Sequence, residues 1–121
     1  WGFPEKFYRE PPTKAGEIVG LAASPGVIEA KARVITTSDQ FDSVEDGEIL
    51  VCRMTNPAWV VLFTKISGLV TDAGGTTSHS AVVSREFGLP AVVGTSVATK
   101  DIKTGDTLRV NGTTGLVEIM T

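Results

Sequence analysis

The sequence of 121 residues contains very little cysteine and histidine, and this scarcity disfavours several classes of protein. Cys52 is its one cysteine and His79 its one histidine. A single cysteine cannot form an internal disulfide, which fits a reducing compartment. A zinc site is disfavoured, because no second histidine exists and the cysteine lies on a distant predicted strand. Cys52 itself stands in an apolar run, which predicts a small buried thiol.

Long hydrophobic runs and basic clusters are also missing. No apolar stretch approaches the roughly 20 residues that span a bilayer, and the N-terminus has no signal-peptide pattern. Eleven basic residues stand against 14 acidic ones, for a formal net charge of -3. We therefore expect a cytoplasmic protein with neither membrane nor nucleic acid as partner. The densest charged cluster is acidic and predicts a solvated loop: Asp39, Asp42, Glu45, Asp46 and Glu48.

The distribution of prolines, charges and apolar runs predicts one domain with an appendage. Residues 1–17 contain three prolines and several charges without a sustained period, which is typical of a linker or extended arm. Residues 18–121 form the predicted domain. Its elements follow in the order β, β, β, α, β, α, β, β, β.

Two helices are predicted in the middle of the domain. The first covers the segment TNPAWVVLFTKISG, in which Thr55 or Asn56 can cap the N-terminus and Gly68 can close the C-terminus. The second runs from about 79 to 87 and is closed by Gly88.

The last predicted strands are joined through Asn111-Gly112, a strong hairpin signal in which glycine allows a positive φ. Strands dominate both ends of the domain, and a glycine loop stands where a short strand meets the second helix. This arrangement predicts a compact α/β domain with a mixed sheet and two central helices.

The glycine loop has the chemistry of an anion site. Backbone N–H groups at a helix N-terminus lack intrahelical partners, and the helix dipole places partial positive charge there. Glycines let the backbone approach an anion closely, and neighbouring hydroxyls add donors. The candidate phosphoryl-binding residues are Gly74, Gly75, Thr76, Thr77 and Ser78.

His79 is the candidate catalytic residue of this segment. A neutral imidazole can attack phosphorus and form a covalent intermediate, which the donors of the loop would stabilise. A serine hydrolase is disfavoured, because Ser78 and Ser80 are chain neighbours of the ring and no G-x-S-x-G elbow is present. A Walker loop is also disfavoured, since no lysine follows the glycines.

The stretch GGTTSHSAVVSR closely resembles the phosphohistidine signature of the phosphoenolpyruvate (PEP)-utilising enzymes. These include PEP synthases, pyruvate phosphate dikinases and rifampicin phosphotransferases. The segments TNPAW, GLVTDAGG, EFGLPAVVG and IKTGDTLRVNGTTGLVEI resemble the flanking blocks, so the likeness covers roughly residues 18–120. It implies a swivelling β/β/α domain of a phosphotransferase, with His79 phosphorylated. Thr77 matches a threonine that is a regulatory phosphorylation site in the plant dikinases.

The resemblance also implies partners that a chain of this length does not contain. The family uses an ATP-grasp nucleotide-binding domain and a second domain for the acceptor or for PEP and pyruvate. ATP or PEP, with magnesium, is expected on those domains, and no cofactor on this one. The chain is then either a segment of a longer protein or a separate subunit, and the phosphoryl group shuttles between the partner sites.

Three further residues are predicted to support the site. Arg85 matches the signature arginine and is expected in an ion-pair or scaffold role, with Asp72 as the candidate partner. Thr55, ahead of the first helix, is expected to face the phosphoryl group. The alternative function is a non-catalytic regulatory or interaction module that retains the same fold.

Overall fold

A computed structural model describes residues 17–36, 38–55, 57–75 and 78–120. The strands are β1 (Glu17–Val19), β2 (Leu21–Ser24), β3 (Val27–Val34), β4 (Ile49–Cys52), β5 (Gly68–Thr71), β6 (Ala91–Val93), β7 (Thr107–Asn111) and β8 (Leu116–Ile119). The helices are α1 (His79–Phe87), α2 (Ala98–Asp101) and two 3-10 helices, Ser38–Ser43 and Pro57–Thr64. The predicted mixed α/β class is confirmed. Apart from Glu17, which begins β1, the predicted arm lies outside the described residues.

The strands form a mixed sheet in the order β1-β8-β7-β3-β4-β5-β6-β2. Strands β3 to β6 are parallel to one another, and the remaining pairs are antiparallel. The long strand β3 joins the two parts, because its residues 27–31 pair with β7 and its residues 32–34 pair with β4. Strands β1 and β2 lie at opposite ends of this order, although only Gly20 separates them in the chain.

The parallel strands β4, β5 and β6 are buried on both faces, which explains their nearly continuous apolar sequences. In β4, Leu50 and Cys52 belong to a cluster beneath α1 and the second 3-10 helix. Ile49 and Val51 point the other way, into a cluster with α2 and the antiparallel strands. The alternation of side chains thus supplies both halves of the core from one strand.

Helix α1 has the predicted bounds and clear signals at both ends. Ser78 is its N-cap, and Gly88 at the C-cap has a left-handed φ of 71°. The first predicted helix is instead a shorter 3-10 helix, Pro57–Thr64. Gly68 does not close it but begins β5, where an added Cβ would lie 2.9 Å from Ile28. Asn56 lies outside the described residues.

The acidic segment also differs from the prediction. Residues Ser38–Ser43 form a 3-10 helix rather than a plain loop. Glu48 is held by a two-pronged ion pair with Arg33, with both nitrogen–oxygen distances 2.9 Å. Burial by itself raises the pKa of the Glu48 carboxyl, but the hydrogen bonds from Arg33 and from the Glu45 N–H, together with the charges of Arg33 and Lys31, lower it below its ordinary value. Glu48 therefore has a structural role, since it ties the segment directly before β4 to Arg33 of β3.

The hairpin between β7 and β8 is confirmed, with a loop of residues 112–115. The side chain of Asn111 accepts hydrogen bonds from the N–H groups of Thr113 and Thr114. The positive φ in this loop belongs to Gly115, at 85°. Gly112 is needed for space, because an added Cβ would lie 1.8 Å from the carbonyl oxygen of Ser24.

We expect Gly112→Ala to destabilise the fold by about 3 kcal/mol, because backbone atoms of β2 would have to move. Gly105→Ala is the matched control: its φ is 99° but nothing lies within 4 Å of the added Cβ. It should cost only about 1 kcal/mol, from backbone strain. Denaturant unfolding of both variants measures the difference, and equal losses would contradict the packing argument.

Candidate active site

The candidate site lies at the carboxyl edge of the parallel strands, where ligands of open α/β sheets characteristically bind. Residues 53–55 follow β4, residues 72–75 follow β5, and residues 94–96 follow β6. The register of β4 against β5 brings the first two segments together. The N–H of Asp72 donates to the carbonyl of Cys52 at 3.0 Å, and Ala73 donates to Arg53 at 2.9 Å.

The glycine loop turns sharply from β5 towards α1. Gly74 has a φ of 107°, and a Cβ there would lie 2.9 Å from the Ser78 hydroxyl oxygen. A larger residue is therefore disfavoured both by the backbone conformation and by this close contact. The carbonyl of Gly75 accepts from the backbone N–H of Ser78 at 3.0 Å. Thr76 and Thr77 lie outside the described residues, and their phosphoryl-binding roles stay predictions.

Ser78 has a capping role. Its hydroxyl donates to the carbonyl of Gly75 at 2.8 Å and accepts from the N–H of Ala81 at 3.4 Å. The sequence predicted that this hydroxyl donates to a phosphoryl group, but in the structure its proton is donated to the Gly75 carbonyl within the loop. Helix geometry leaves the first-turn N–H groups of His79 and Ser80 without intrahelical acceptors, so they supply donors for an anion.

His79 is the first residue of α1, and its ring is held by the segment after β4. Its Nδ1 lies 2.9 Å from the Oγ1 of Thr55, which is buried. The same Oγ1 lies 2.7 Å from the hydroxyl of Ser80, and the Thr55 N–H donates to that hydroxyl at 3.3 Å. Nδ1 is therefore engaged within the protein, and Nε2 is the nitrogen left for a reaction.

The position of Thr55 differs from the sequence expectation. Thr55 was expected to face the phosphoryl group, but its hydroxyl contacts the ring nitrogen and completes the chain His79, Thr55, Ser80. The role of Ser80 was missed altogether. The sequence signal for this role is the position of Ser80 directly after the histidine. In the first turn of α1 the serine side chain is buried.

Asp72 and Arg85 occupy separate parts of the structure. Both carboxylate oxygens of Asp72 accept hydrogen bonds from Thr99, one from its N–H and one from its hydroxyl. A guanidinium nitrogen of Arg85 donates to the carbonyl of Ala23 at 2.8 Å, which ties α1 to β2. These contacts tie each side chain to a neighbouring element, and the expected pair between them is not among the ion pairs of the described residues.

Cys52 is fully buried in β4, as predicted. Burial, with a smaller contribution from the charge of Asp72, raises the pKa of the Cys52 thiol to about 12. The thiol is therefore protonated at neutral pH and is not a nucleophile, although Cys52 is the last residue of β4 and directly precedes residues 53–55 of the site.

Within the described ranges, no group of three or more histidine, cysteine, aspartate or glutamate residues is placed to hold a metal ion. In the same part of the chain, no helix has both the length and the apolar character needed to cross a membrane.

Residues 44–115 match the family model described as "PEP-utilising enzyme, mobile domain". This match covers more than half of the chain and includes the glycine loop, His79 and Thr55. The chain belongs to the mobile-domain family of the PEP-utilising enzymes. The resemblance noted in the sequence is thereby confirmed.

Two curated relatives contain a matching segment within much longer proteins. Rifampicin phosphotransferase of Bacillus subtilis (strain 168) is 53% identical over 112 residues, which are 93% of this chain and 13% of that protein. Phosphoenolpyruvate synthase of Pyrococcus furiosus is 51% identical over 98 residues, 81% of this chain and 12% of that protein. The chain thus spans about one eighth of the length of these relatives and is a domain of an enzyme family.

Two solved structures resemble this chain. The solution structure of Enzyme I (nEIt) matches with a TM-score of 0.58 and 32% identity, over 66% of this chain and 33% of that one. The holo-form of Thermococcus kodakaraensis aconitase X matches with a TM-score of 0.65 over 87% of this chain and 98% of that one. Its identity is only 19%, so this second likeness concerns the fold alone.

We expect Thr55→Val to release the His79 ring, because valine keeps the shape of threonine but has no hydroxyl for Nδ1. The ¹⁵N chemical shifts of the imidazole nitrogens should change, and the loss of the buried hydroxyl should destabilise the domain by about 1–3 kcal/mol. Thr55→Ser is the control and should preserve the spectrum. Identical imidazole spectra in the valine and wild-type proteins would contradict the assigned contact.

Proposed function

We propose that this mobile domain is a phosphoryl carrier in which Nε2 of His79 takes up the phosphoryl group. The observation that carries the proposal is the contact between His79 Nδ1 and Thr55 Oγ1 at 2.9 Å. It leaves one ring nitrogen for chemistry, next to a helix N-terminus whose N–H groups favour an anion.

The reaction is an in-line displacement at phosphorus. The lone pair of Nε2 forms the N–P bond, while the bond from phosphorus to the leaving oxygen of the donor breaks and that oxygen keeps the electron pair. The second transfer reverses the roles, because an acceptor oxygen attacks phosphorus and the N–P electrons return to Nε2. The carrier is unchanged after both steps.

The hydroxyl chain supports the required form of the ring. Nε2 is nucleophilic when the ring proton is on Nδ1, which then donates to Thr55, whose hydroxyl donates onward to Ser80. Formation of the N–P bond makes the ring cationic, and the Nδ1–H hydrogen bond becomes charge-assisted and stronger. The same contact therefore stabilises the intermediate more than the free ring.

The phosphoryl oxygens are assigned to backbone donors. The N–H groups of His79 and Ser80 begin α1, and no described atom beyond its chain neighbours lies within 4 Å of a Cβ added to Gly75, so the group can approach the loop closely. The hydroxyls of Thr76 and Thr77 complete this assignment. Ser78 contributes as the cap that holds the loop against the helix.

The donor and acceptor sites lie on other domains. In this proposal an ATP-grasp domain supplies a phosphoryl group from ATP with magnesium, or PEP supplies it directly, and a further domain holds the acceptor. Two apolar side chains next to the site support docking of such domains. Met54, beside Thr55, is 59% exposed, and Val82, one turn after His79, is 39% exposed.

The chemistry is tested with phosphoramidate, a small phosphoryl donor that needs no partner domain. The ¹⁵N-labelled chain should acquire a single ³¹P resonance coupled to Nε2 of the imidazole, and the label should be acid-labile and base-stable. His79→Ala should remain unlabelled. Label that persists in His79→Ala, or that sits on Nδ1, would contradict the proposal.

The carrier role is tested by exchange into a relative. Replacing the matching 112-residue segment of the Bacillus subtilis rifampicin phosphotransferase with this chain should preserve phosphoryl transfer by the chimaera. His79→Ala in the chimaera should abolish transfer, while Thr55→Val should slow it about 10- to 100-fold through the misplaced ring. A chimaera that folds, binds its substrates and transfers equally well without His79 would refute the carrier role.

A further inference from the structure

The base of the glycine loop is held by an acidic side chain that has no part in the phosphoryl chemistry above. Asp72 is the first residue after β5 and lies two positions before Gly74. Its Oδ1 accepts from the backbone N–H of Thr99 at 2.9 Å, and its Oδ2 accepts from the Thr99 hydroxyl at 2.5 Å. One residue on α2, 27 positions along the chain, thus satisfies both carboxylate oxygens.

Backbone contacts around Asp72 join the same two segments. The carbonyl of Asp72 accepts from the N–H of Ser96 at 2.9 Å, and the carbonyl of Thr71 accepts from the N–H of Thr95 at 3.1 Å. The Thr95 hydroxyl also donates to Thr71 and accepts from the N–H of Ala98, which begins α2. The segment from Thr95 to Thr99 is therefore bonded along one side of the loop base.

The other side of the loop base is bonded to the end of β4. Asp72 and Ala73 donate their N–H groups to Cys52 and Arg53, at 3.0 and 2.9 Å. Next along the chain, the Gly74 carbonyl packs so closely on Gly94 that a Cβ on Gly94 would lie 2.9 Å away. Hydrogen bonds and close packing therefore hold the backbone as far as Gly74, where a φ of 107° turns the chain towards His79.

We infer that Asp72 is a positioning residue, which acts through Thr99 to fix the direction in which the glycine loop leaves the sheet. The carboxylate serves as a pair of hydrogen-bond acceptors, and the pair with Thr99 sets the loop for the phosphoryl group. This inference rests on the proposed function of His79 and adds to it a residue pair, Asp72 and Thr99, that does not touch the reacting atoms.

The geometry distinguishes hydrogen bonding from charge as the basis of the effect. An asparagine at position 72 can accept the Thr99 N–H with its amide oxygen and donate to the Thr99 hydroxyl with its amide nitrogen. An alanine can do neither. On the threonine side, Thr99→Val removes one of the two bonds, and Thr99→Ser retains both.

The test compares these variants in phosphoramidate labelling of His79 on the full 121-residue chain. Asp72→Ala and Thr99→Val should slow the appearance of the Nε2 label about 10- to 100-fold, because a displaced loop no longer meets the phosphoryl oxygens. Asp72→Asn and Thr99→Ser should stay within about threefold of the wild type, since each retains both hydrogen bonds. The double variant Asp72→Ala/Thr99→Val should be no slower than the slower single variant.

Loop position is read separately from the rate. Thr99→Val should shift the amide ¹H and ¹⁵N resonances of Gly74 and Gly75, although these residues are about 25 positions away in sequence. Thr113→Val is the matched control, because its hydroxyl accepts from the N–H of Gly26 at 3.0 Å, before β3 at the opposite edge of the sheet. It should leave both the glycine resonances and the labelling rate unchanged.

Each outcome separates the two proposals. If the wild type is labelled on Nε2 and Thr99→Val is labelled at the same rate with unmoved glycine resonances, the positioning role is wrong and the carrier chemistry stands. If Asp72→Asn is as slow as Asp72→Ala, charge rather than hydrogen bonding is responsible and the inference fails. If the wild type acquires no Nε2 label, the proposed function is wrong, and the positioning role that rests on it is wrong as well.

Discussion

The parallel pairing of β4 with β5 is the constraint on which the site depends. It places the ends of both strands at one edge, so Thr55 after β4 meets His79 after the glycine loop of β5. Neither residue is near the other in sequence, since 24 positions separate them. A slip of this register would leave the hydroxyl and the imidazole apart even if each local segment kept its shape.

Polar side chains at this edge form two sets of hydrogen bonds, one around the ring and one at the base of the glycine loop. The hydroxyls of Thr55 and Ser80 bond each other and the ring, and farther down Asp72 and Thr99 bond across the base of the loop. One buried hydroxyl stands outside this pattern: among the described residues with buried side-chain polar atoms, Ser84 Oγ has no hydrogen-bond partner. Directed hydrogen bonds therefore hold the site, and the buried Ser84 hydroxyl takes no part in them.

Much of the fold was predictable from local signals. Apolar runs of strand length located the buried strands β4 and β6, and Gly88 marked the C-terminus of α1, because a C-cap is encoded by residues adjacent in sequence. The capping role of Ser78 was not predicted, since its hydroxyl was assigned to the phosphoryl group. The segment after Asn56 was less predictable. Its apolar residues fit a helix, but Trp59 and Phe63 pack into the core along a tighter 3-10 turn, which helical periodicity does not distinguish. The short helix α2 was missed because four residues show no period.

The histidine and its loop were also predictable, since they are contiguous in sequence. Thr55 was also expected at the site, but its contact with Nδ1 and the part played by Thr99 were not predictable, because both residues reach the site only through strand order. The pair of Asp72 with Arg85 was expected from their opposite charges and from the place of Arg85 on the helix, away from His79. In the folded chain the two side chains bond Thr99 and the carbonyl of Ala23, on separate parts of the sheet.

The antiparallel pair of β1 and β8, with Glu17 opposite Glu118, joins two segments that are distant in sequence. In the sheet order, β7 and β3 stand between this pair and the strands β4 and β5, whose ends hold Thr55 and the glycine loop. The strand pair that positions the imidazole is therefore separate from the pair of β1 with β8.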